Sequence, residues 1–252
     1  MKIAKADVIA GMVKGMAVLE SFDTERQRLN ATLAAQRAGI TRAAARRHLL
    51  TLTHLGYLET DGSYFWLAAK VMRFSGSYLA SARLPKVIQP TLHRLAQSAP
   101  HAFSATVLDG DEVVVVAKND VGRMMAYGVH LGARLPAHAT STGRVLLAAK
   151  SKSELNAWLK GRTLTRLTGR TVTDLKTFRA CLLQAQADDY TLSCEEHELG
   201  VSALAVPLRN AQGKTVAALN VVLPSTTMDA QNIRQQFLPL LQSAAQELRA
   251  LL

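Results

Sequence analysis

Apolar residues along the first quarter of the chain recur at helical spacing. Val8, Met12, Met16, Leu19 and Phe22 follow one another at steps of three and four, which predicts a helix over 8–22 with one apolar face turned to a core. A polar connection over 23–28 leads to Asn30, whose side chain suits the position before a helix, and to a short helical run over 32–38. Gly39 ends that run, because glycine enters the left-handed region at little cost. Thr41 opens a second helix that reaches about Leu55 before Gly56 stops it. On this helix Ala45, Leu49 and Leu52 fall on one side, while Ala43, Arg46, Arg47 and Leu50 fall on the other, with Arg42 at the edge. Two short helices around a tight glycine turn form a helix-turn-helix. The β-prone runs Tyr57-Leu58-Glu59 and 64–67 flank Asp61-Gly62, a hairpin signal that adds a wing.

Beyond the wing, residues 70–82 read as a connecting helix, and Pro85 and Pro90 mark the passage into a second domain beginning near residue 86. Alternating runs over 103–108 and 113–118 flank Asp109-Gly110-Asp111 as a hairpin, and runs over 201–208 and 215–223 flank a turn at 210–213 as another. Helices are expected over 140–149, 151–159 with the capping box Ser151/Glu154, 174–188 and 229–251. The fold class is therefore α+β. Residues 1–69 form a winged helix-turn-helix, 70–85 a linker helix, and 86–252 an antiparallel sheet with helices on it.

Composition narrows the partners. Of the 252 residues 48% are hydrophobic, which supports a core, and no window approaches the length of a membrane span. The N-terminus mixes charges into its apolar residues and lacks a cleavage site, so a cytoplasmic location and no membrane partner are expected. The net charge of +11 favours a polyanion, since Lys and Arg that neutralise phosphates release condensed counterions. Residues 1–83 carry 12 Lys and Arg against 6 Asp and Glu, whereas the remaining two thirds carry 18 against 13. The nucleic-acid side therefore belongs at the front. Cys181 and Cys194 form no C-x-x-C pair, and no disulfide is expected.

An α-helix fits the major groove, and arginine can bridge guanine O6 and N7 or clamp a phosphate. Arg42, Arg46 and Arg47 are the candidates, with Ala43 on the same face. Thr41 suits a phosphate, because its hydroxyl lies among the free amides of a helix start. Tyr64, Phe65 and Trp66 on the wing are read as packing. In the second domain, Leu135-Pro136 runs into a helix start at Thr140 and Ser141, whose unpaired amides make an anion site with Arg134 nearby. A small carboxylate suits it. His138 is a second candidate hydrogen-bond partner for a ligand phenol or carboxylate. Glu195, Glu196 and Glu198 read as a solvated acidic loop.

Two other classes fit parts of the sequence. His138, Ser141 and nearby acids permit a hydrolase-like enzyme, but there is no G-x-S-x-G elbow, no H-E-x-x-H and no phosphate-binding G-x-x-x-x-G-K-[ST]. Cys194-x-x-His197 is half of a zinc site without a second half, so neither a metal nor a cofactor is expected. Charge alone also permits a nonspecific nucleic-acid binder.

The order of motifs resembles the IclR family of bacterial transcriptional regulators across nearly the whole chain. The run GITRAAARRHLLTL at 39–52, continued by Leu55-Gly56-Tyr57-Leu58, looks like the family's recognition helix and the start of its wing. GARLPAHATSTGRVLLA at 132–148 and EEHELGVSALAVP at 195–207 resemble its effector-domain signatures. The resemblance implies a GAF/profilin-like effector domain. It also implies dimers, or pairs of dimers, on a palindromic double-stranded DNA operator, with N-terminal contacts helping to form the dimer and RNA polymerase as a further partner for an activator. It puts an effector pocket along Gly132, Ala133, Arg134, Leu135, His138, Ala139, Thr140 and Ser141, closed by Ser193, Ala203, Asn220 and Val222. Within the family the chain is most similar to regulators of aromatic-acid catabolism, which implies a small aromatic or dicarboxylic acid as effector. Ser193 and Ala203 stand where other members place an acid and a cysteine, which argues for a ligand other than glyoxylate. His48 and Phe74-Ser75-Gly76 also depart from the family pattern.

Overall fold

The computed structural model describes residues 3–23, 26–119 and 130–252, arranged as two compact units divided after Ala80. Thr24 and Glu25, within the connection expected over 23–28, lie outside the described residues.

The first unit contains α1 (Ala10–Leu19), α2 (Ala31–Ala38), α3 (Arg42–His54), the antiparallel pair β1 (Leu58–Thr60) and β2 (Phe65–Leu67), and α4 (Met72–Ser81). Its helix ends are set by local chemistry. The Asn30 side chain accepts from the amides of Thr32 and Leu33 at 3.1 and 3.0 Å, and Gly39 closes α2 at φ 65°. In the wing, Asp61 accepts from the amides of Ser63 and Tyr64 at 3.0 and 2.8 Å. Those two bonds hold its carboxyl below the usual carboxylate range. Val18, Leu29, Ala34, Ala45, Leu49, Leu58 and Phe65 form the core.

One expectation fails here. The apolar face predicted on the first helix divides: Phe22 is buried and Leu19 is half-buried against the core, whereas Val8, Met12 and Met16 are exposed. Periodicity identified an apolar stripe, but the small core formed by α2, α3 and the wing covers only its C-terminal end. At the other end of the unit, the Lys70 ammonium donates to the Leu55 carbonyl at 2.7 Å and lies 4.8 Å from the Tyr57 ring centroid. Phe74 stacks on the same ring at 5.6 Å. These contacts fasten the start of α4 to the C-terminus of α3.

The second unit comprises α5 (Arg83–Ser98), β3 (Ala102–Asp109), β4 (Glu112–Lys118), β5 (Arg134–Pro136), α6 (Ser141–Ala148), α7 (Lys152–Leu159), α8 (Leu175–Asp188), β6 (Thr191–Cys194), β7 (Val201–Arg209), β8 (Thr215–Pro224) and α9 (Ala230–Arg249). The strands form one antiparallel sheet in the order β5-β4-β3-β8-β7-β6. One face packs Phe103, Ala105, Val206 and Leu219 against Ile88 and Leu92 of α5 and Phe237 and Leu241 of α9. On the other face Val113, Ala205 and Ala218 lie under Leu147 of α6 and Phe178 and Leu182 of α8.

The prolines do not interrupt the chain as expected. Pro85 sits in the first turn of α5, where no helical N–H is lost, and Pro90 lies within the helix. The buried stripe Ile88, Leu92 and Leu95 keeps the helix on the sheet through that site. The edge strands β5 and β6, of three and four residues, had not been anticipated.

Candidate DNA-binding and ligand-binding sites

The outer face of α3 carries every residue predicted to meet DNA. Thr41, Arg42, Ala43, Arg46 and Arg47 are exposed, and Ala45 and Leu49 anchor the opposite face with no exposure at all. The Thr41 hydroxyl accepts from the Ala44 amide at 3.3 Å, which starts the helix there and leaves its own proton free to donate. No described acidic side chain pairs with Arg42, Arg46 or Arg47, whereas Arg28 pairs with Asp61 at 2.8 Å and Arg37 pairs with Asp23. Three cations thus face outward on a helix of major-groove width. The wing aromatics differ from one another. Phe65 is buried and Trp66 donates to Glu59 at 3.0 Å beneath the Arg28 guanidinium, whereas Tyr64 is exposed.

A cavity of about 80 Å³ lies on the α6 face of the sheet. Its floor is built from Ser104 and Thr106 of β3, Val115 of β4, and Asn220 and Val222 of β8. Leu135 closes one end, and Ser193 and Ala203 stand towards the other. The start of α6, Ala139 to Thr142, forms the roof, and His197 and Val201 complete the wall. Ser104 donates to the Asn220 side-chain carbonyl at 2.6 Å, and Ser193 donates to the Ala139 carbonyl at 3.5 Å. Among the described residues, no Lys, Arg, Asp or Glu lines this space.

The roof supplies the positive end of a dipole. Thr140 caps α6 by accepting from the Gly143 amide at 3.2 Å, while the amides of Ser141 and Thr142 take no described partner. A Cβ on Gly143 would stand 2.1 Å from the Ala137 carbonyl oxygen, so only glycine lets this helix start so close to the preceding 3-10 turn. Burial holds the pKa of His197 below the ordinary histidine value, which favours its neutral ring.

Leu135, Ala139, Thr140, Ser141, Ser193, Ala203, Asn220 and Val222 line the cavity as expected positions, but Gly132, Ala133, Arg134 and His138 do not. Gly132 and Ala133 make the turn into β5, where their backbones bond to Val115. The Arg134 guanidinium lies outside, held by Glu112 at 2.6 Å and Asp109 at 2.8 Å, so the cation expected beside the anion site is committed to two surface carboxylates. His138 is buried, with Nε2 2.9 Å from the Thr165 carbonyl.

Glu196 corrects the reading of a solvated acidic loop. It is buried against Arg144, its carboxylate accepts from the Val172 amide at 3.2 Å, and its carbonyl accepts from Thr171 at 2.7 Å. This arrangement fixes the loop that brings His197 to the wall. The sequence did not point to Ser104, Thr106, Val115, Thr142 or Val201 as lining, and His197 was weighed only as half of a zinc site. Ser104 lies opposite Asn220 in the sheet, a pairing that joins strands far apart in sequence. Among the described residues no group of three His, Cys, Asp or Glu side chains is placed to hold a metal.

The IclR helix-turn-helix domain matches residues 12–62, and the bacterial transcriptional regulator IclR C-terminal domain matches residues 76–250. The chain belongs to the IclR family. Two curated relatives come from Acinetobacter baylyi. The Pca operon regulatory protein is 49% identical, over 99% of this chain and 91% of its own length. The p-hydroxybenzoate hydroxylase transcriptional activator is 51% identical, over 99% and 94%. A crystal structure of a double mutant of the PobR transcription factor inducer-binding domain from Acinetobacter, in complex with 3-hydroxybenzoic acid, is 47% identical and superposes with a TM-score of 0.64. It covers 67% of this chain and 98% of its own. This IclR protein is thus a DNA-binding transcriptional regulator, and the hydrolase reading is set aside.

Proposed function

We propose that this IclR-family regulator controls genes for the breakdown of aromatic acids and that its effector is a hydroxybenzoate-type acid held in the cavity beneath α6. The observation that carries this reading is a slot with apolar walls whose roof is an open helix N-terminus and whose floor is polar but uncharged. A carboxylate is matched by the Ser141 and Thr142 amides. A ring is matched by Val115, Leu135 and Val222, and a ring hydroxyl by the hydroxyl and amide side chains of the floor. The relatives that share about half of its residues are named for p-hydroxybenzoate and Pca functions, which supports the same assignment.

On the DNA side, Arg42, Arg46 and Arg47 enter the major groove while Thr41 meets a phosphate. Ile9, Met12, Val13 and Met16 leave an apolar strip exposed on and beside α1, which favours pairing of two copies and hence a palindromic operator. The test uses the full chain, DNA from the region upstream of its own gene, and a series of benzoates. Titration calorimetry should register binding of at least one hydroxybenzoate, and fluorescence anisotropy should show that this acid changes the DNA complex. Arg46→Ala should weaken operator binding by roughly tenfold or more and leave hydroxybenzoate affinity unchanged. Equal affinity for scrambled DNA overturns the operator assignment, and the absence of binding by every benzoate overturns the effector assignment.

A further inference from the structure

Thr106 is 2% exposed, lines the cavity floor, and its hydroxyl has no hydrogen-bond partner. Three neighbouring hydroxyls are already engaged. Ser104 is bonded to Asn220, Ser193 to the Ala139 carbonyl, and Thr140 to the Pro136 carbonyl at 3.2 Å. A buried hydroxyl left unpaired costs stability that valine, of the same shape, does not incur. The backbone is irregular at the same place. Ala105 pairs with Ala117 and Thr106 with Val115, so Val116 is the extra residue of a β-bulge, which shifts the side chains of β4 relative to those of β3. Bulges of this kind re-aim side chains next to binding sites. Threonine also has a rotatable hydroxyl that both donates and accepts, which suits a phenol in either role.

We infer that Thr106 is a specificity-determining residue that reads a hydroxyl on the effector's aromatic ring, discriminating hydroxybenzoates from benzoate itself. This rests on the effector reading above. In that arrangement the carboxylate is held at the α6 roof by backbone amides that every benzoate can use, so Thr106 contributes only to the hydroxylated members. Selectivity then resides in one side chain, separate from the group that binds the shared carboxylate.

The test compares full-length wild-type protein with Thr106→Val and Thr106→Ser by titration calorimetry against benzoate, 3-hydroxybenzoate and 4-hydroxybenzoate. Wild type should prefer one hydroxybenzoate over benzoate by roughly tenfold, the scale of one hydrogen bond. Thr106→Val should reduce that preference to within about twofold while leaving benzoate affinity within about twofold of wild type, and Thr106→Ser should retain the preference. The unliganded Thr106→Val protein should melt at the same temperature as wild type or higher, which separates a lost contact from misfolding. A preference that survives in Thr106→Val overturns the inference alone. So does an equal loss of affinity for all three acids. Failure of the wild-type protein to bind any of the three overturns the effector reading as well.

Discussion

At the scale of single residues, two arginines of the second domain carry opposite energetic weight. Arg134 and Arg144 lie in one signature run, and Arg134 has the better position on paper beside a helix start. In the structure Arg134 is half-exposed between Asp109 and Glu112, a surface arrangement of the kind worth about 1 kcal/mol or less. Arg144 is buried with Glu196, and its Nε also donates to the His138 carbonyl at 3.1 Å. Truncating one partner of a buried pair leaves the other charge without compensation, which costs about 3–5 kcal/mol. Arg144→Met should therefore lower the urea-unfolding free energy by about that amount, and adding Glu196→Gln should recover part of the loss. A single variant as stable as wild type would show that the pair is not coupled to the fold. Thr106 and Ser104 were illegible for the opposite reason. Polar residues alternating with apolar ones along a strand read as a solvent-facing row, and only the packing of α6 above the sheet turns that row into the floor of a cavity.

At the scale of elements, the features legible in the sequence were those fixed within a few residues. Asn30, Thr41, Ser151, Asp174 and Asp229 each cap the helix they were expected to begin, because a cap bonds to amides two or three positions away. The edge strands β5 and β6 are only three and four residues long, too short to show an alternating pattern, and β5 also pairs with a strand 20 residues away, Arg134 opposite Val114. The exposed part of α1 is an intermediate case, since periodicity reveals an apolar stripe without saying what covers it. Gly143 gives the element scale its prediction. Its added Cβ would meet backbone atoms of Ala137 at 2.1 to 2.5 Å, and a main chain cannot move aside as a flexible side chain can. Gly143→Ala should cost about 3 kcal/mol, the upper end of the usual range for overpacking, by displacing the start of α6. Thermal melting of Gly143→Ala should show a clear drop in midpoint, accompanied by loss of benzoate binding. An unchanged midpoint would mean that the helix start relaxes freely and that the roof is not held by this contact.

At the scale of the whole molecule, the division of charge separates two kinds of anion recognition. In the proposed reading DNA binding by α3 relies on exposed guanidinium groups, so its affinity should fall steeply with salt as phosphate contacts release counterions. The cavity proposed for the effector presents no cationic side chain among the described residues, and the anion site proposed there consists of helix-terminal amides in a buried setting. Such a site is screened far less by dissolved ions than exposed charges are. Raising sodium chloride from about 50 to 200 mM should therefore weaken operator binding by orders of magnitude, on the scale of about 10³ for six phosphate contacts, while changing hydroxybenzoate affinity by less than about twofold. Arg46→Ala should reduce the logarithmic salt slope of DNA binding by about one if that residue meets a phosphate. If it reads a base instead, the slope should stay while sequence preference relaxes. A hydroxybenzoate affinity that falls in step with DNA affinity would place a cation in the effector site and overturn recognition by backbone amides alone.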